Sequence, residues 1–277
     1  MTKIAFQCIM HYSDQIPQEV QKGDEILHID GGPMYTETNV KNTIPEPVNT
    51  LSAAIFMFIA IYWWYKASKQ ASGFRFLKLS AIILAIGGLG GTIYHGLRIY
   101  EWAMWMDWIP IVLLCIAAAA YFVYLLFKNI YLALLSLVLA VLLQYLNFTL
   151  IPDSLNTSTS YAILAIYVLL PITMALVKTQ YLYWIYPIAA LGAFVVALTF
   201  RIADREQWLQ PIGTHFLWHT FGAVACHAMF TYLFLFKRAF PRFELVNKIR
   251  FRNIRIEFIG KMKTRLKERK NKSKSGT

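Results

Sequence analysis

Seven apolar runs of membrane-spanning length follow one another along this 277-residue chain, near 49–66, 76–97, 104–127, 130–151, 160–177, 181–200 and 213–236. A hydrocarbon core about 30 Å thick asks for about 17–25 apolar residues per helix, and a helix satisfies its backbone groups internally. The chain therefore reads as an all-α integral membrane protein with seven transmembrane helices. Composition points the same way, since 57% hydrophobic against 15% charged residues is too apolar for a water-soluble globule. The fifth run contains Pro171 and is the least regular; a pair of shorter re-entrant segments is its competing reading.

Residues 1–48, rich in polar residues and including Gly31, Gly32, Pro33, Pro45 and Pro47, are expected as an extracytoplasmic N-terminal loop region. The span 49–236 is then one membrane domain, and 237–277 a basic tail. Residues 4–10 lack the long apolar core and cleavage site of a removed signal peptide. Cys8, Cys115 and Cys226 are too scattered for a disulfide framework or a CxxC metal site.

The formal charge of +12 belongs entirely to the tail, which holds 15 Lys+Arg and three Glu. Seven spans place the termini on opposite sides, and 21 of the 27 Lys+Arg then share the side of the tail. The positive-inside rule thus predicts a cytoplasmic C-terminus and an N-terminus outside. Within the tail, Phe251, Ile254, Phe258, Met262 and Leu266 recur at helical spacing. They predict an amphipathic helix on anionic inner-leaflet lipids, with a solvated tail as the alternative. A nucleic-acid partner is not expected, because the charge is tethered to the membrane without a recognisable binding fold.

Alternating spans bring four polar residues to one level near the outer surface: His95 ending the second span, Asp107 opening the third, and His215 and His219 opening the seventh. Histidines four apart share a helical face, so two imidazoles can serve one cation and His95 can complete a set of three. Three neutral imidazoles with an open fourth position suit a catalytic zinc, which lowers the pKa of a water toward about 7. Asp107 is the candidate proton acceptor, and an ionisable group inside a span calls for a function or a partner.

Any one of these histidines alone is as readily a structural hydrogen-bonding residue. His227, two turns further into the seventh span, reads as a buried hydrogen-bonding or supporting residue, and His11 and His28 as solvated loop residues. Gly87, Gly88, Gly90 and Gly91 suit close helix packing, or space for a lipid chain near the metal. Tyr100, Trp102, Trp105, Trp108, Tyr181, Tyr183 and Trp184 read as interfacial belt residues. A retinal pigment is excluded, since no lysine lies between Lys178 and Lys237.

Three blocks carry a resemblance to the alkaline ceramidase family, within a superfamily of seven-span hydrolases that includes adiponectin-receptor-like proteins. The first is Glu46-Pro47-Val48-Asn49-Thr50-Leu51-Ser52, similar to the acidic residue and Asn-Thr-x-Ser that open the family's first helix. The second runs from His95 through Tyr100-Glu101 to Met106-Asp107-Trp108-Ile109-Pro110, and the third is His215-Phe216-Leu217-Trp218-His219. The resemblance implies that His95, His215 and His219 bind Zn2+, that Asp107 assists the attacking water, and that Glu46, with Glu37 and Asn39, belongs to a Ca2+ site. It also implies hydrolysis of the ceramide amide to a sphingoid base and a fatty acid. The chain departs from the family where a serine precedes the first zinc histidine by four residues: here that position is Gly91. One extra residue also separates His95 from Asp107.

The expected function is a zinc-dependent lipid amidase acting on ceramide or a related N-acyl lipid drawn from the membrane. The alternative is a non-catalytic seven-span receptor or scaffold that keeps the zinc as structure.

Overall fold

The computed structural model describes residues 19–22, 25–70, 73–240 and 260. Two short strands, β1 (Glu19–Lys22) and β2 (Glu25–His28), pair antiparallel within the segment expected as loop. Seven helices long and apolar enough to cross a membrane follow: α1 (Pro47–Ser68), α2 (Arg75–Leu97), α3 (Glu101–Phe127), α4 (Ile130–Leu150), α5 (Asp153–Lys178), α6 (Ile185–Arg205) and α7 (His215–Ala239). The molecule thus has a multi-pass membrane architecture. The amphipathic reading of the tail, like His11, lies outside the described residues.

Each apolar run has become one helix. The fifth passes through Pro171 unbroken, so the re-entrant alternative is replaced by a continuous span; neighbouring helices let such a proline be tolerated. The sixth extends to Arg205 rather than ending near 200, which brings Arg201 and Asp204 into its last turns. Local chemistry explains the ends. Arg98 and Lys128 close α2 and α3 in left-handed conformation, and the Asn129 side chain accepts from the Tyr131 and Leu132 amides at the start of α4. Glu37, ten residues before α1, accepts from the Val48 and Asn49 amides at 2.7 and 2.9 Å and so caps its N-terminus.

α1 packs along α2, α2 along α3, α3 against α5, and α6 along α7, while α1 also meets α7. α4 sits at the periphery against α3 and α5, with Leu134, Leu135, Val138 and Leu142 exposed as a lipid-facing surface. Lipid is as apolar as leucine, so association inside a membrane depends on close packing. The glycines of α2 supply it on two sides. A Cβ at Gly88 would sit 2.8 Å from the Met57 amide nitrogen on α1, and one at Gly90 would overlap the Met106 backbone on α3. Pro110 lacks the N–H that would bond the Met106 carbonyl, so the α3 backbone is already open where α2 approaches.

Packing is dense at the end of the bundle away from the three histidines, where Trp63, Phe74, Phe122, Phe230, Phe234 and Phe236 form the core. Between that core and the histidines lies an apolar cavity of about 220 Å³, walled by residues such as Phe56, Leu84, Leu114, Leu164, Phe194 and Met229. It extends along α7 from His219 to Leu233, about 21 Å of helix rise. Gly87 and Gly88 line it, so the two readings of the glycine run meet: the same residues pack helices and leave room for a chain.

Gly90→Val is expected to force α2 away from α3 and cost about 3 kcal/mol, the upper part of the range for overpacking. Thermal unfolding of the purified protein in detergent measures it; an unchanged midpoint would contradict the close approach.

Candidate metal centre

His95 lies in the last turn of α2, and His215 and His219 open α7. All three are buried, and one ring nitrogen from each lies within 4.8 Å of the others. Their ring centroids are 4.6 to 5.2 Å apart. Among the described residues this is the group of three or more that could hold a metal ion.

The chain fixes these rings from behind. His95 Nδ1 is 2.5 Å from Glu46 Oε2, a contact in which the imidazole donates to the carboxylate; His95 Nε2 is then left buried with no protein partner. The Ser52 hydroxyl donates to the Asn49 carbonyl at 3.0 Å, so at 2.9 Å it accepts from His219 Nδ1. His219 Nε2 thereby keeps its lone pair. His215 stacks on Tyr35 at 3.8 Å between centroids, and its Nδ1 is buried without a partner. A buried nitrogen without a partner carries a desolvation cost of about 1–3 kcal/mol. Imidazoles oriented by a carboxylate or hydroxyl are the usual arrangement around a metal. The donor set fits a metal ion, and its chemistry suits zinc, copper, iron or nickel.

Backbone placement comes from further away. Asp204 closes α6, where a negative charge is ill matched to the helix dipole. It is explained by the start of α7: its Oδ1 accepts from the Thr214 and His215 amides at 2.6 and 3.0 Å, while Oδ2 accepts from the Thr36 amide. Gly213, with φ +73°, makes the turn beside it, and a Cβ there would press on Thr36 as well as Asp204.

Arg98 is the hub behind Glu46. It is 1% exposed, yet each of its five N–H groups finds an acceptor: Nε on Asp30 at 2.7 Å, Nη2 on Asp30 and the Pro33 carbonyl, and Nη1 on Glu46 and Thr38. Burial pushes the Glu46 carboxyl up, but the hydrogen bond from His95, the Arg98 guanidinium and the Thr38 hydroxyl more than offset it and bring it to about 2. Asp30 is likewise lowered to about 2: its burial is outweighed by His28, Arg98 and the Gly32 amide.

These contacts do not favour the expected calcium ligands. Both oxygens of Glu46 are taken by His95, Asn49, Arg98 and Thr38, and both of Glu37 by the amides that begin α1. Asn39 Oδ1 accepts from the Lys41 amide. A guanidinium already fills the anionic space between Asp30 and Glu46, so the three residues do not fit a calcium cage.

Asp107, half-buried, lines the cavity together with His219. Its carboxylate lies against Gly91, where a Cβ would overlap Oδ1 and stand 3.2 Å from Ala53 Cβ. Asp107 therefore occupies the space that a serine side chain at 91 would need. Thr92 does not replace that serine, since its hydroxyl donates to the Gly88 carbonyl at 2.7 Å on an undistorted helix. His227 is not buried as expected; it is exposed and packs against the rings of Tyr62 and Trp63. His28 is buried rather than solvated, with Nδ1 3.5 Å from Asp30.

Arg98, Ser52, Asp204, Arg201 and Tyr35 went without a role at the level of sequence. Arg201 and Asp204 carried a usable signal as ionisable residues beside an apolar run, and Ser52 stood inside the first block. Tyr35 had none. No protein-family model matches the chain, and no curated protein matches it.

Glu46→Gln removes the negative acceptor from His95 and is expected to weaken metal affinity by about 10- to 100-fold. A competition titration against a chelator measures this; an unchanged affinity would remove Glu46 from the centre.

Proposed function

We propose that the protein is a zinc-dependent membrane lipid amidase, hydrolysing the amide of ceramide or a related N-acyl lipid to a free amine lipid and a fatty acid. The observation that carries this reading is the junction of three buried histidines, held from behind, with a long apolar cavity whose polar end bears His219 and Asp107. That pairing of a hydrophilic centre with chain-sized apolar space is what an N-acyl lipid requires. The resemblance to the alkaline ceramidases in the blocks around Glu46, His95 and His215 points the same way.

In this reading His95, His215 and His219 hold Zn2+. The bound ion supplies a Lewis acid that polarises the amide carbonyl and makes water acidic. The protein does the rest. The cavity takes the acyl chain and sets the amide level with His219 and Asp107. Asp107 orients the attacking water, accepts its proton as the new carbon–oxygen bond forms, and returns that proton to the amine as the carbon–nitrogen bond breaks. Glu46 and Ser52 keep their imidazoles in the tautomer that faces the ion. Gly91 lets the Asp107 carboxylate take up its position, which answers the missing serine without a loss of function.

The N-terminus lies outside and the basic tail in the cytoplasm against anionic lipids, following the charge distribution. The second reading, a receptor or scaffold with structural zinc, draws on Gly91 alone. Zinc retained without turnover on any ceramide or N-acyl lipid would favour it.

His219→Ala is expected to lose stoichiometric zinc and to lower hydrolysis at least about 10³-fold, as removal of an essential group does. Metal analysis paired with mass spectrometry of lipid products measures both; hydrolysis that survives the substitution overturns the mechanism. Gly91→Ser is expected to keep zinc while displacing Asp107, with turnover falling about 100-fold, the scale of a 1 Å misplacement. Turnover equal to the parent's would contradict the role given to Asp107.

A further inference from the structure

Arg201 stands apart from every other buried charge near the site. It is 8% exposed in the last turns of α6, and its Nε is fully buried with no hydrogen-bond partner. Its guanidinium lies over the rings of Tyr161 and Trp218, 5.7 Å from each centroid. Both rings line the apolar cavity at its polar end, beside His219 and Asp107.

The two nearby acids do not pair with it among the described residues. Asp204, three residues on, spends its carboxylate on the Thr36, Thr214 and His215 amides, and Asp107 lies against Gly91. Arg98 offers the contrast: also buried, it has an acceptor for each of its five donors. A buried guanidinium Nε–H without an acceptor is costly, and inside a membrane span such a group marks a ligand pathway. Guanidinium presents a planar fork that matches carboxylate and phosphate, and aromatic faces can hold it ready.

We infer that Arg201 is a headgroup-recognition residue, and that the preferred lipid is an N-acyl lipid whose headgroup carries a carboxylate or phosphate. This deepens the amidase reading and rests on it. The acyl chain fills the cavity, the amide lies by His219 and Asp107, and the anion meets the fork between Tyr161 and Trp218.

Two measurements on the full-length, zinc-loaded protein in detergent separate this inference from the reading beneath it. The first compares hydrolysis of N-palmitoylglycine with that of N-palmitoylethanolamine, which exchanges a carboxylate for a hydroxyl group. The parent is expected to favour the carboxylate about 10- to 100-fold in kcat/KM, the worth of a charged hydrogen bond. That ratio should collapse toward one in Arg201→Gln and recover in part in Arg201→Lys.

The second is binding of hexadecyl phosphate, palmitate and hexadecanol, which needs no turnover. Both anions should bind at least about tenfold more tightly than the alcohol, and Arg201→Gln should abolish the difference. Anion-selective binding without hydrolysis of any lipid would sink the amidase reading and leave Arg201 as an anion site. Equal kcat/KM for the two amides in the parent, or a substitution that alters only inhibition by the product palmitate, overturns the headgroup assignment. Binding that does not distinguish the anions from hexadecanol overturns it too.

Discussion

Three imidazoles serve a single cation only if each ring is held with the correct nitrogen forward, and that constraint shapes one whole end of this bundle. Glu46 fixes His95, and Arg98 fixes Glu46 through a guanidinium whose every donor is used. The guanidinium in turn draws down the chain segment that bears Asp30, Pro33 and Thr38. A buried ion pair is no guarantee of stability, since desolvating the charges can cost as much as pairing them returns. Here its use is positional: it ties the segment before α1 to the end of α2, so that the carboxylate behind His95 has nowhere else to go.

The same economy governs the helix ends. Glu37 begins α1 and Asp204 begins α7, each from the segment that leads into the helix. Thr36 binds Asp204 through its amide and its hydroxyl, so the segment around Tyr35 reaches both helix starts at once. Tyr35 stacks on His215 and lies near His95. Access remains from the cavity, whose wall is mostly apolar and which His219 and Asp107 meet.

The helices were legible because apolar length is a property of each run by itself. The histidine level was legible because alternation of seven spans fixes which ends coincide, and the spacing of His215 and His219 fixes their shared face. What escaped is what depends on pairing across the chain. No local pattern tells that Glu46 faces His95 and Arg98 rather than a calcium ion, because the competing cation is a side chain 52 residues away. The burial of His28 and the exposure of His227 were misjudged for the same reason. Gly91 read as a loss until its neighbour was known, since the sequence shows an absent serine and not the carboxylate in its place. Arg201 falls just past the sixth apolar run, 181–200, whereas α6 continues to Arg205.

His95, His215 and His219 are proposed to form a zinc centre. X-ray absorption at the zinc edge, taken on the intact protein purified from zinc-replete membranes, addresses it directly. One zinc per chain is expected, with three imidazole nitrogens at about 2.0–2.1 Å and no sulfur ligand. A protein that carries no zinc under those conditions, or a zinc whose shell contains sulfur or lacks the imidazole signature, would contradict it.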